Sequence, residues 1–327
     1  MKFLVPVLFS FLVVANLLAC RTLTSGNAFA PKINLVKIGS WEESPDIRVV
    51  KVVGRYAYVL DSFEGLKIVD VSDPVNPRKV GQFKNKISAA VMALDVSGNF
   101  AYVANFEGGF KIADISNPNK PKQIGRFDDK KFIEDIFVCG NYAYLAGLQD
   151  GLRIVDVSHP AKPRLVGKMT DKMYTNSIFV SGHYAYLADW ENGFKIIDVS
   201  NPVAPRQIGQ NIEVGFVHQV RVDGDYAYVI SEEARLVIID IKNPTQPRIT
   251  GQINKIGSMR NLYVLGNHIY VTGRDDGMRI IDVSNPFKPV LIGGVGGDCA
   301  RGLWVADQYV FTADMGIGLT IYNIAKN

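Results

Sequence analysis

The sequence predicts an all-β protein, a seven-bladed β-propeller with four antiparallel strands per blade. Three observations carry that reading: a long-period repeat, strand-like runs within each repeat, and turn residues at fixed places between them. The stretch from Tyr184-Ala-Tyr-Leu-Ala-Asp189 through Gly193-Phe-Lys-Ile-Ile-Asp198-Val-Ser-Asn-Pro202 recurs seven times from Tyr58 to the C-terminus. Its aspartate falls at Asp70, Asp114, Asp156, Asp198, Asp240 and Asp282, with Asn323 in the last copy, at steps of 41 to 44 residues. Such a period belongs to propeller blades, in which each unit buries its apolar faces only against its neighbours. The chain has 327 residues, 47% hydrophobic and 21% charged, a composition that supports an extended core. Length alone would suggest two domains; a closed ring of similar units is one.

The first stretch, residues 1–19, reads as an export signal, with Met1-Lys2 followed by an apolar run from Phe3 to Ala19 broken only by Pro6, Ser10 and Asn16. Leu17-Leu18-Ala19-Cys20 resembles a bacterial lipobox, which implies cleavage before Cys20 and lipidation of that residue. The rival is ordinary secretory cleavage after Ala28-Phe29-Ala30, set against it by Pro31 at the next position. A retained transmembrane anchor is a third reading, disfavoured because the run falls short of the ~20 apolar residues that span a bilayer. Residues 20–32 are a polar tether, and 33–327 form the propeller. The expected address is the bacterial cell envelope, lipid-anchored, on the outer membrane or the periplasmic side.

The first ordered piece, Ile33 to Trp41, matches the Pro-x-x-Ile-Gly segment that closes later repeats, as in Pro205-Arg-Gln-Ile-Gly209. Each full unit then carries four short runs rich in Val, Ile, Tyr and Phe and bounded by turn residues, which are strands. In the fourth unit they are 176–181, 184–188, 194–199 and 206–209. Between the first two strands stand Gly54, Gly98, Gly140, Gly182, Gly224 and Gly266, with Asp307 in the last unit. Each opens a two-residue hairpin that needs a positive φ. Another turn glycine precedes the third strand in every unit except at Arg235. Asp-Val-Ser-Asn-Pro follows it, an Asx turn with proline fixing φ, and twelve of the fifteen prolines occupy the two sites of this turn. The chain thus begins with a lone fourth strand and ends with a first, second and third. The N-terminal strand is expected to pair with Leu319 to Ala325 and close the ring without free edges.

The third-strand motif, Leu66-Lys-Ile-Val-Asp70 and Leu152-Arg-Ile-Val-Asp156, resembles the LVIVD repeat of exported bacterial and archaeal proteins. The likeness covers Ile33 to Ala325 and departs in the last copy, Leu319-Thr-Ile-Tyr-Asn323. It implies a propeller acting as an exported binding or scaffold module and supplies no catalytic residues.

Function is less legible than fold. The net charge of +4 is mild and spread along the chain, which argues against a nucleic-acid partner. No phosphate loop, nucleophile elbow or metal-ligand spacing is present, so no catalytic residue, metal or cofactor is assigned. Cys139 and Cys299 are placed at different levels of their blades, too far apart for a disulfide, and Cys139, aligned with Ser97 and Ser181, reads as a small buried filler. The repeated aspartates read as turn acceptors. Arg78, Lys122, Arg164, Arg206 and Arg248 form a belt on the face bearing the proline turns, either a solvated rim or a weak attraction for an anionic surface.

The informative column is the one that refuses to repeat: Arg48, Met92, Glu134, Asn176, His218, Arg260 and Arg301, six residues before each hairpin position. Two positions later every copy is aliphatic. These residues begin the innermost strands and are expected to surround the mouth of the central channel. Loops nearby add Phe63, Phe106 and Trp190 beside carboxylates. Two functions follow from this column. One is a monomeric, non-catalytic module gripping a protein or polysaccharide partner through the mouth, with Phe106 and Trp190 as apolar anchors. The other is a hydrolase or lyase acting on an exported carbohydrate or lactone, with Glu134 and His218 as acid and base, which requires the two to face each other in a closed pocket.

Overall fold

A computed structural model describes residues 33–44, 46–84, 91–105, 108–169, 173–233, 235–273, 277–296 and 300–326. The signal, Cys20, the tether, Phe106 and Cys299 lie outside the described residues. Described strands number 28, in blades of four antiparallel strands. Each first strand packs against the first strands of the neighbouring blades, and the ring closes where Ile47–Val53 meets Ala300–Ala306. Six blades follow the chain in order. The seventh is completed by the N-terminus: Ile33–Trp41 pairs antiparallel with Gly318–Lys326, from Ile33 opposite Lys326 to Trp41 opposite Leu319. Ile33 also makes a parallel pair with Gly293 in the outermost strand of blade 6.

The first strand of every blade starts on one face, beside the second-to-third-strand loops, and ends on the other at the hairpins and proline turns. The first is called the mouth face below, the second the turn face. The hairpin glycines have φ between 55° and 58°, and Asp307 takes their place at 53°. Aspartate tolerates that region because its short side chain bonds locally. The repeated aspartates are turn acceptors, as read from the sequence: the Asp70, Asp156, Asp198 and Asp282 carboxylates accept the N–H two residues on, at 2.8 to 3.0 Å. The belt is exposed, and Arg164 and Arg206 reach back to the aspartates of their own blades at 3.2 and 3.3 Å.

The glycine of Pro-x-x-Ile-Gly has a role that the turn reading missed. A methyl group at Gly81, Gly125, Gly167, Gly209 or Gly251 would lie 1.8 to 2.0 Å from the carbonyl oxygen of the first turn proline in the next blade. Gly39 meets Pro74 in the same way at 2.1 Å, while Gly293 meets Ile33 at 2.3 Å. Only a residue without Cβ lets the blades approach so closely. Just before each of these glycines the outer strand carries one extra residue, as between Lys79 and Gly81. The bulge turns that residue, Val80 here, against the core.

Among the described residues the core consists of seven clusters, each between two neighbouring blades. Val50, Leu94, Ile136, Ile178, Val220, Leu262 and Leu303 are all buried, which fixes the register of the inner strands. Cys139 corrects the sequence reading. It is a free, exposed thiol, because Val138 takes the buried side of the strand and the alternation turns its neighbour outward.

Candidate functional site

The non-repeating column sits on a backbone irregularity that recurs. At the start of the inner strand, the pairing with the second strand slips by one residue between Ile47 and Val49, Val91 and Ala93, Thr175 and Ser177, Val217 and Gln219, Met259 and Asn261, and Ala300 and Gly302. The residues left unpaired are Arg48, Met92, Asn176, His218, Arg260 and Arg301. In blade 3 Glu134 stands at the same place, its N–H bonded to the Ala146 carbonyl at 2.8 Å. A bulge frees a side chain from the ladder and re-aims it. The scaffold therefore holds these residues uniformly while leaving their chemistry unconstrained. The side chain of Met92 lies outside the described part.

The column surrounds one axis. The Glu134 carboxyl in blade 3 and the Arg48 guanidinium in blade 1 act on each other electrostatically, and Arg48 also feels Arg301 of blade 7. Burial, reinforced by Asp135 and opposed by Arg48, pushes the Glu134 carboxyl up to about 7. Arg48 donates to the Ser62 hydroxyl at 2.7 Å, and Arg301 to Asp46 at 3.0 Å. Arg260 is exposed.

On the opposite side of the mouth His218 is bonded to Glu232 and lies edge-on to Trp190, centroids 4.7 Å apart. Trp190 in turn packs on Phe216 at 5.6 Å, and Phe216 remains 50% exposed. Burial lowers the His218 pKa against the opposing pull of Glu232. Trp190 is fixed from beneath. The buried Asp189 carboxylate accepts the N–H groups of Glu191 and Asn192 at 3.1 and 3.0 Å and the Lys195 ammonium at 2.7 Å, while the Trp190 N–H donates to the Tyr174 carbonyl.

Glu134 and His218 are not brought together. The charges that shift Glu134 are Asp135 and Arg48; those that act on His218 are Glu232 and Arg260. Phe63, 73% exposed, lies on the same face in blade 1. Sequence reasoning missed Phe216 and Glu232, which flank His218 on adjoining loops.

It also missed a second non-repeating layer deeper in the channel, three residues before each hairpin position. Lys51 pairs with Asp95 and lies 5.4 and 5.9 Å from the ring centroids of Trp304 and Phe137, in blades 7 and 3. Phe137 packs on Phe179 and Tyr263 on Trp304, both with centroids 4.9 Å apart. Arg221 completes the layer; burial lowers its pKa, opposed by Asp135 and Asp95 from the far side of the ring. Residues of blades that do not adjoin can meet only through the centre, so this layer lines the waist of the channel, where Lys51, Phe137, Arg221, Tyr263 and Trp304 stay partly exposed.

Seven segments, residues 46–85, 90–129, 133–171, 174–210, 214–255, 256–296 and 296–325, match the family described as LVIVD repeat. The chain belongs to the LVIVD-repeat family. Each LVIVD segment coincides closely with one blade, and the departure in the last copy falls in the strand that meets the N-terminus. Among solved structures the chain resembles the β-propeller domain of Myceliophteria thermophila Cps50 (Swd1), with a TM-score of 0.71, 12% identity, 89% of this chain covered and 100% of that one. It also resembles the computationally designed Ika8 protein, with a TM-score of 0.64, 9% identity, and 88% and 99% covered. At these identities the likeness shows the fold alone. No curated protein matches the chain.

Proposed function

We propose that this LVIVD propeller is a non-catalytic binding module whose mouth face holds a protein or polysaccharide partner. The observation that carries the reading is the bulge column. Six of the inner strands lift one residue out of an otherwise repeated scaffold, three of them an arginine and the others a methionine, an asparagine and a histidine. Beside them Trp190 and Phe216 offer rigid apolar contacts around His218, on which the Arg260 charge acts, and Phe63 lies exposed on the same face, the mixture of aromatic and arginine that dominates binding energy at interfaces. The different neighbours of Glu134 and His218 support a binding role over the paired acid and base that such catalysis would use.

The reading is tested by affinity capture from an envelope extract. Phe216→Ala combined with Arg260→Glu is expected to reduce the captured partner at least tenfold, since two such contacts are worth about 2 kcal/mol or more. Arg206→Glu on the turn face should leave capture unchanged. Equal capture by all three proteins would overturn the mouth as the binding face.

The same proposal places the module on the cell envelope by a lipid at Cys20, supported by the apolar run of residues 3–19 and by Leu17-Leu18-Ala19-Cys20. Metabolic labelling with a radioactive fatty acid should mark the wild type and not Cys20→Ala. Equal labelling, or a mature protein beginning at Pro31, would count against the anchor.

A further inference from the structure

The outer strand of each blade begins at the rim of the turn face, and in blades 1 to 5 its first residue is the cation of the belt: Arg78, Lys122, Arg164, Arg206 and Arg248. Blades 6 and 7 break the pattern. Counted back from Ile292-Gly293 and Ile38-Gly39, the same position holds Val290 and Val36, 51% and 49% exposed. Leu291 beside Val290 is exposed too, and so, at 66%, is Phe287 in the turn just before them. Charge on an outer strand protects an open sheet edge, and contiguous exposed apolar surface marks a place of contact. Backbone contacts carry this sector around the rim. Pro286, next to Phe287, lies against Gly251 of blade 5. Ile33 pairs with Gly293 and so joins the strands that hold Val36 and Val290, while Gly39 lies against Pro74 and the exposed Val75 of blade 1. Exposed cations accompany the apolar residues, Lys37 and Lys288 within the sector and Arg78 and Arg248 at its ends. The acids of the same turns, Asp282 and Asp73, accept the N–H groups of Ser284 at 2.8 Å and Val75 at 3.1 Å.

We propose that this sector of the rim rests on an anionic lipid bilayer. Phe287, Val290, Leu291 and Val36 enter the boundary between headgroups and acyl chains, while Lys37, Lys288, Arg78 and Arg248 meet the phosphates, the arrangement by which proteins lie on a membrane surface. An open depression lined by Ser40, Val75, Asn76, Pro77 and Arg78 stands at one end of the sector and offers room for a headgroup. Two observations favour a bilayer over a second copy of the chain. Pairing of two such sectors would set the cations of one copy against those of the other. The chain ahead of Ile33, with its apolar run and Cys20, also joins the propeller within the sector. A bilayer at this rim leaves the mouth open to the partner proposed above, and the contact itself does not depend on a lipid at Cys20.

The unlipidated chain from Arg21 onward keeps every described residue and tests the contact apart from any anchor. In co-sedimentation it is expected to partition at least tenfold more strongly onto vesicles of phosphatidylcholine with about one-third phosphatidylglycerol than onto phosphatidylcholine alone. Phe287→Ser combined with Leu291→Ser should weaken binding to the mixed vesicles at least tenfold, through the loss of two buried apolar side chains. Lys37→Glu combined with Lys288→Glu should do the same through charge. All four residues are exposed, so both variants should melt as the wild type does. The Phe216→Ala, Arg260→Glu protein should bind vesicles unchanged, which keeps loss of partner capture and loss of membrane contact separate. Absence of binding to the mixed vesicles, equal binding to both kinds, affinity unchanged in both rim variants, or binding lost in the mouth variant would overturn the proposal. So would dimers in light scattering that the Phe287→Ser, Leu291→Ser protein no longer forms, since they would assign the sector to a second copy.

Discussion

Gly167→Ala is expected to destabilise the propeller by about 3 to 5 kcal/mol, at the upper end of what single substitutions cost. The added methyl group would lie 1.9 Å from the Pro202 carbonyl oxygen and 3.3 Å from Pro205 Cδ. Neither can yield alone, because both belong to the rigid turn of the next blade, so relief requires moving one blade against another. Gly167 does not have a positive φ, and the loss therefore measures the close approach and nothing else. Gly182→Ala provides the comparison. That glycine has φ 58° and open space where its Cβ would go, so the substitution costs only the left-handed strain of about 1 to 2 kcal/mol. In thermal melts, at roughly 2 to 4 °C per kcal/mol for a domain of this size, the first variant should lose on the order of 10 °C and the second a few. Equal losses would mean that the blades do not depend on the proline carbonyl contact.

Deleting residues 33–40 should have the other large effect. The N-terminal strand buries Ile33 and Leu35 against blades 6 and 7, a contribution of about 1.5 to 3 kcal/mol for each side chain. It also supplies the hydrogen-bonding partner for the whole of Gly318–Lys326. Without it that strand becomes a free edge, which invites pairing between molecules. The shortened protein is expected to melt at least 10 °C lower and to run as oligomers in size-exclusion chromatography with light scattering. A peptide of residues 33–41 added in excess should restore the monomer by strand addition. An unchanged melting temperature would show that blade 7 stands with three strands.

The blade count, the closure and the turns were legible because they depend on local chemistry repeated seven times. Gly182 announces a left-handed hairpin residue, and Asp198 an acceptor two residues before a backbone N–H, wherever they occur. Gly167 was legible as a repeated glycine but not as a contact, since its partner, Pro202, belongs to the following blade and no local rule joins them. The variable column was visible as a failure of repetition. That it rides on a bulge was not, because the extra residue is defined only by its pairing with the second strand. Lys51, Phe137, Arg221 and Trp304 carried the same signal of non-repetition three residues later in the strand. They passed for ordinary strand residues because aromatics and basic residues are common there, and only their meeting across the axis shows a layer. Cys139 misled through its serine counterparts: small size suggested burial, whereas strand alternation from Val138 decides the matter.

The antiparallel seam between Ile33–Trp41 and Gly318–Lys326 leaves the two ends of the described propeller at a single corner of the turn face, with Ile33 opposite Lys326. A linker joined at Ile33 or Lys326 starts on the side away from the mouth, so a propeller immobilised through either point keeps its mouth facing outward. The two ends are near enough to be spliced by a short linker, and new ends could then be opened at any proline turn. A circularly permuted chain of that kind would carry its seam inside a different blade and leave the mouth undisturbed.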